Sequence, residues 1–406
     1  MMRYTLFGAI ASLAIAGCLI GAGQLQAAEL VNAQASTPDC AAPGSLIWKR
    51  QSGSSGRDTG RIAAIDAGNN IFVISLWRNG VVTKYSPSGQ RLATRNTSGH
   101  RWDAATMDGQ GNLVSVSRGD PGVSKYSATG ATLWTRPLGD FRPSSVTTDA
   151  DDDIIVIGAD GENNACCPAD IFINKYSSEG DLLWSALVKR SLDHFHEYMS
   201  GYSVAADAEG SIVIAGEAYT DGSPTLPFQL VFLVKFSRDG QLLWERHFGA
   251  GRFNWAGAAT VDPAGNILVT GATDGPFGGS YRGGTDVFTA KFDSAGRLLW
   301  KRQIGTAADD KAGWLATDDA GNIVIAGSTE GALGGFYHGE TDVFAAKYSP
   351  AGKLLWKRQF GTASAEDVDG VAVGPDGNPV INGQTTGAFG GPHRGEEDVF
   401  ILKLQR

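Results

Sequence analysis

Charge is scarce in this chain. Asp, Glu, Lys and Arg make up 19% of its 406 residues, below the usual quarter, which excludes a solvated, disordered acidic chain. The formal net charge is −9 and no basic stripe appears, so a nucleic-acid surface is not expected. Long apolar runs are nearly absent: residues 5–23 form the only one. Helical stretches rich in Glu, Lys and Leu are missing, which excludes a coiled coil. The glycines follow no Gly-X-Y period, which excludes collagen. Neither a Gly-x-Ser-x-Gly elbow, a Walker loop nor a His-Glu-x-x-His pair occurs. Local motifs therefore name no reaction, although a site gathered from distant segments leaves no such mark.

The single apolar run follows Arg3 and reads as a secretory leader. It is also long enough to span a membrane. Two processing routes are open. Ile15-Ala16-Gly17-Cys18 resembles a bacterial lipobox, which puts a lipidated Cys18 at the mature N-terminus. Leu25-Gln26-Ala27-Ala28 offers small residues for ordinary cleavage, and an uncleaved anchor is the third possibility. Each route places the folded part outside the cytoplasm: periplasmic, held on the outer membrane as a lipoprotein, or secreted. Only four cysteines are present. Cys40, Cys166 and Cys167 would then sit in an oxidising compartment. Either member of the Cys166–Cys167 pair can bridge to Cys40, or the pair can bond to itself; spacing alone does not choose.

Glycine, by contrast, is abundant: 55 residues, about twice ordinary usage. An internal repeat explains much of it. Asp286-Val287-Phe288 through Leu299-Trp300 recurs almost unchanged at Asp342 to Trp356. Its lysine recurs as Lys84, Lys125, Lys175, Lys235, Lys291, Lys347 and Lys403, at intervals of 41, 50, 60, 56, 56 and 56 residues. Nine residues further on stand Trp134, Trp184, Trp244, Trp300 and Trp356, with Ala93 in the first unit. A second signature, Asp262-Pro263-Ala264-Gly265-Asn266, recurs from Asp66, Asp108, Asp149, Asp207 and Asp318, and from Gly374 with the aspartate replaced. Seven units result. Each holds short alternating, β-branched runs separated by two tight turns, which reads as four antiparallel strands.

The fold expected is an all-β, seven-bladed propeller. Leu46-Ile47-Trp48-Lys49-Arg50-Gln51 matches the outer strand that the last unit lacks. The N-terminal segment is therefore expected to complete the C-terminal blade and close the ring, which removes open sheet edges. The turns need glycine, Asn or Asp for left-handed backbone. The lysine of each third strand reads as a structural side chain that snorkels. The expected organisation is a leader over residues 1–28, a linker over 29–44 and one propeller domain over 45–406.

The pattern Gly-Thr…Asp-x-Gly-Asn…Gly-Gly…Asp-Val-Phe-x-x-Lys resembles the SBBP family of seven-bladed propeller repeats. The match is closest in the last three units, at Gly275-Pro276-Phe277-Gly278-Gly279, Gly331-Ala332-Leu333-Gly334-Gly335 and Gly387-Ala388-Phe389-Gly390-Gly391. The resemblance implies an exported or cell-surface bacterial protein. It implies no reaction, because the family shares no catalytic motif.

Both tight turns of a unit fall on one face. The other face carries the variable loops, and binding is expected there. Six of the ten tryptophans occupy the repeat position and are expected in the core. Trp77, Trp102, Trp255 and Trp314 do not, and form a candidate aromatic platform; the alternative is that each fills space between blades of unequal length. Arg252, Asn254 and Tyr198 lie in the same links. His194 and His196 are two apart, so a strand would point both to one side, and imidazole suits zinc or copper. Asp310 and Glu366, like Asp58, precede their turn by eight residues and are candidates to attract a divalent cation at the channel mouth. A solvated rim is the alternative for all of these.

The function expected is a non-catalytic binding scaffold, a monomer that recognises protein or polysaccharide at the cell envelope. No cofactor is expected; a divalent cation is the one group that the acidic and histidine candidates offer to bind. The alternative is an enzyme working in the channel, either a polysaccharide hydrolase or lyase, or a quinoprotein dehydrogenase. Ala351-Gly352-Lys353-Leu354-Leu355-Trp356 is similar to the tryptophan-docking repeat of the last family, and adjacent cysteines also lie beside its cofactor. Those enzymes usually have eight blades, however, and no calcium-ligand set matches here.

Overall fold

Each repeat folds into one four-stranded antiparallel sheet, and seven such sheets are present among the described residues. The computed structural model describes residues 42–75, 81–96, 102–117, 122–139, 141–160, 170–188, 198–219 and 229–406. Blade one comprises β2–β5 (61–96), blade two β6–β9 (104–136) and blade three β10–β13 (141–188). Blade four is β14–β17 (198–248), blade five β18–β21 (254–304) and blade six β22–β25 (310–360). Blade seven joins β26–β28 (366–404) to β1 (Leu46–Ser52), in the order β1-β28-β27-β26. Trp48 faces Lys403 and Ser52 faces Val399. The N-terminal strand thus supplies the outer edge of the last blade. The innermost strands touch in a closed circuit, β2-β6-β10-β14-β18-β22-β26 and back to β2.

The apolar core lies between blades rather than within them. One cluster packs Ile155, Ile157 and Ile173 of blade three on Ile212, Ile214 and Phe232 of blade four. Another packs Val343 and Ala345 of blade six on Ile381, Phe400 and Leu402 of blade seven. Second and third strands are therefore buried on both faces, and read as continuous apolar runs such as Ile267–Thr273. Small inner-strand residues let the strands converge: a Cβ on Gly257 would stand 2.4 Å from the Ala312 carbonyl oxygen.

Turn chemistry repeats with the blades. Asn69 and Asp152 hold the left-handed position that glycine takes in the other first turns, with φ of 59° and 61°. The turn aspartate accepts backbone N–H groups two and four residues on, as Asp262 does from Ala264 and Asn266. The third-strand lysine does not snorkel to water. Outside blade one it is buried and paired with an aspartate of the first turn: Lys125 with Asp108 at 2.9 Å, Lys175 with Asp149 at 2.7 Å, Lys291 with Asp262 at 2.6 Å. The physical reason is that a buried carboxylate needs a counter-charge. In blade seven, where Gly374 replaces the aspartate, Asp376 takes Lys403 at 2.7 Å.

Tryptophans lock six of the seven blade junctions. The indole N–H of Trp48 donates to Pro87 O, Trp134 to Ser178 O, Trp184 to Arg238 O, Trp244 to Ser294 O and Trp300 to Pro350 O. Each ring lies on the glycine of the neighbour's second turn, where a Cβ would come within 2.9 Å. Glycine is required there because the ring takes the space of a side chain, and because φ is positive.

Candidate binding site at the channel mouth

The innermost strands carry a strongly varied column of the repeat. Five residues before the first-turn position stand Arg61, Asp103, Ser144, Tyr202, Gly257, Gly313 and Asp369. In five blades this residue is the extra one of a β-bulge: Ser144, Tyr202, Gly257, Gly313 and Asp369 fall at register shifts between first and second strands. A bulge re-aims the side chain it carries. Beyond Gly313 lies open space.

Two groups form on this column. The first spans the neighbouring blades six, seven and one. The Arg61 guanidinium of blade one lies 4.3 Å from the ring centre of Trp314 in blade six. The Trp314 N–H donates to Val368 O of blade seven at 2.8 Å. Asp369 accepts from Gln384 Nε2 at 2.8 Å. Burial pushes the Asp369 carboxyl up to about 6, with Gln384 and Arg61 pulling the other way. Burial also lowers the Arg61 guanidinium from its usual value, and Asp369 opposes that. Both keep some accessible surface. A carboxyl that titrates near neutrality beside a cation is a group able to exchange protons.

The second group spans blades four and five on the loop face. Phe253 and Trp255 stack at 5.9 Å with planes 18° apart, and the Arg252 guanidinium lies 5.4 Å from the Phe253 ring centre. Asp274 holds this segment by accepting the N–H groups of Arg252 and Phe253 at 2.7 and 2.8 Å. Beside it, Tyr202 and Tyr219 donate to Glu217 Oε2 at 3.3 and 3.1 Å. Burial raises the Glu217 carboxyl, while Tyr219, Tyr202 and the Ala256 N–H draw it down. That N–H belongs to β18, so Glu217 ties the aromatic segment to blade four. Tyr202 is 45% exposed and Arg252 is exposed. The result is a half-exposed aromatic surface with a cation and hydroxyls at its edge.

The sequence candidates scatter. Trp255 and Arg252 belong to this surface. Trp102 is 1% exposed and packs on Tyr126 at 6.0 Å in a cluster with Ile74 and Leu113. It fills part of the space between the two short blades. Trp314 lies in the channel rather than on the loop face. Asn254 is buried: it accepts from Ala250 N and Thr273 Oγ1 and donates to Gln229 O, all at 2.8 Å. Asp310 and Glu366 are fully buried rather than at the mouth. Their carboxylates take the N–H and hydroxyl of Thr306 and Thr362, and the hydroxyls of Thr329 and Thr385. Those bonds close the link between blades. Trp77, His194, His196, Cys18, Cys40, Cys166 and Cys167 lie outside the described residues, as does the Tyr198 side chain.

Among the described residues one acidic cluster is close enough to share a cation, namely Asp149, Asp151 and Asp153. Lys175 already pairs with Asp149 and Asp153, and Arg238 pairs with Asp151. The residues that sequence reasoning missed are Phe253, Tyr202, Tyr219, Glu217, Arg61 and Asp369. Tyr202, Arg61 and Asp369 belong to the varied column, which shows only when the strands are in register; Phe253, Tyr219 and Glu217 carry no signal of that kind.

The family described as outer membrane protein assembly factor BamB matches residues 78–274. Regulatory protein FlaEY of Caulobacter vibrioides is 27% identical over 198 residues, covering 45% of this chain and 20% of that protein. An uncharacterized WD repeat-containing protein, L264, of Acanthamoeba polyphaga mimivirus is 22% identical over 353 residues, covering 64% of this chain and 25% of that protein. The chain therefore spans a quarter or less of these relatives' length. Among solved structures, a streptogramin B lyase has a TM-score of 0.54 at 12% identity, covering 88% of this chain and 98% of that one. The WD40 repeats of RRP9 have a TM-score of 0.56 at 13% identity, covering 90% and 99%. These likenesses show the propeller fold.

Proposed function

We propose that this chain is an exported, non-catalytic scaffold that grips a polypeptide partner at the loop-face mouth of its channel. The observation that carries the reading is the Arg252–Phe253–Trp255 stack, pinned by Asp274 and joined through Glu217 to two tyrosines. Arg, Trp and Tyr are the side chains that dominate binding energy in protein interfaces. A rigid stack also loses little side-chain entropy on binding. The match to a family described as an assembly factor supports a protein partner and an envelope setting. The apolar run at residues 5–23 supports export, and the SBBP-like repeat supports a cell-surface location. Polysaccharide is the alternative ligand for the same aromatic planes.

A second reading has its own observation. Asp369, raised to about 6 beside Arg61, is placed to act as an acid or base in the channel. A lyase shares the fold. The test is an array of peptides and glycans probed with the full chain, with product release followed on every ligand retained. Retention of peptides without turnover supports the scaffold. Turnover that is lost in Asp369→Asn overturns it in favour of the enzyme.

A further inference from the structure

One blade interface lacks its tryptophan. The outer strand of blade one has Ala93 opposite Lys84, where the other strands place Trp134, Trp184, Trp244, Trp300 and Trp356 opposite their lysines. The glycine that receives the ring is nonetheless kept. Gly130 has φ of +91°, and a Cβ there would meet only Arg95 Cδ, at 3.9 Å. The turn Ser127-Ala128-Thr129-Gly130 also keeps Ala128 O in the place of the carbonyls that accept an indole N–H elsewhere. A cavity of about 670 Å³ opens here, walled by Ile65, Phe72, Val82, Leu113, Tyr126 and Arg95. That volume lies within the range of small-ligand sites and exceeds one indole.

The missing ring also uncovers charge. The side chains of Lys84 and Asp66 are 30% and 33% exposed, against 5% and 0% for Lys125 and Asp108. Both acids in the wall are thus already neutralised by lysine. Arg95 lines the same cavity and makes no ion pair among the described residues. Elsewhere the corresponding arginines Arg50, Arg136, Arg246 and Arg302 donate to the turn glycine carbonyl and lie 5.4–5.7 Å from their tryptophan ring. Arg95 has no such ring to lie on.

We propose that the cavity between blades one and two binds a small aromatic acid of the indole class. The ring would lie on Gly130 among Phe72, Leu113 and Tyr126, its N–H would donate to Ala128 O, and its acid group would meet Arg95. The cavity opens on the tight-turn face and does not depend on the loop-face reading.

The experiment titrates the full chain with indole-3-acetate, with neutral indole, and with a tryptophan-containing peptide, reading calorimetric heat and the unfolding midpoint. Indole-3-acetate should bind saturably and raise the midpoint. Ala93→Trp should abolish that binding and raise the midpoint by itself, because it supplies the seventh lock. Arg95→Gln, an exposed change that leaves the fold intact, should reduce binding of the acid to the level of indole. No saturable binding, binding undiminished in Ala93→Trp, or an acid affinity unchanged in Arg95→Gln each overturns the proposal. Binding of the tryptophan peptide in preference to the free acid overturns the small-molecule assignment.

Discussion

Trp300→Ala should weaken the ring measurably, and the size of the loss follows from what the side chain touches. Its N–H donates to Pro350 O at 3.1 Å, its ring lies on Gly352, and Arg302 lies 5.5 Å from its centre. Deleting a fully buried tryptophan costs about 3–5 kcal/mol. This ring is half-buried, so about 2 kcal/mol is expected from burial. Loss of the hydrogen bond adds about 1 kcal/mol. Lys291 Nζ still serves Pro350 O at 3.2 Å, so no carbonyl is orphaned. The arginine–ring contact adds about 0.5 kcal/mol. The sum is about 3–4 kcal/mol. The assay is urea unfolding followed by circular dichroism, with the midpoint falling and the slope unchanged. A loss below about 0.5 kcal/mol, the scale of an ordinary surface change, would refute the claim that these rings lock the blades.

Further outcomes follow from the same contacts. Lys175→Met leaves Asp149 buried without its counter-charge, and should cost about 3–5 kcal/mol in the same assay. Asp66, Asp108, Asp262, Asp318 and Asp376 are held below their ordinary values by lysine and by turn N–H groups against the cost of burial. Their stabilisation is therefore present above the unfolded value and is lost as pH falls through the folded one, so acid unfolding should begin below about pH 4. Asp369 runs in the opposite sense. Its raised carboxyl disfavours the folded state as pH rises from 3.8 toward about 6, and a carboxyl carbon titration by NMR should find its midpoint near the upper value. Deleting residues 42–52 removes β1 and bares β28; aggregation should rise through the open edge, as light scattering will show.

The blades were legible because the repeat states each of them seven times. Ring closure was legible because Trp48 is displaced by one circuit. Depth was not. Trp102 stands outside the repeat period, yet blades one and two have short strands, and this ring occupies part of the gap between them. Asn254, Asp310 and Glu366 sit in links that read as solvated. They are buried because each caps the start of an inner strand with its own side chain. The lysine pairing was visible in principle, since Asp376 appears where Gly374 removes the usual partner. Bulges leave no sequence mark of their own, so the channel column emerged only once the strands were in register.

The most direct test of the account is the affinity of an array-selected peptide for the full chain and for a Phe253→Ala/Trp255→Ala variant, measured by calorimetry. Paired aromatic anchors at an interface are worth about 2 kcal/mol or more, so the variant should lose about thirtyfold or more in affinity with its fold intact. Undiminished affinity in the variant would contradict a binding surface at the channel mouth.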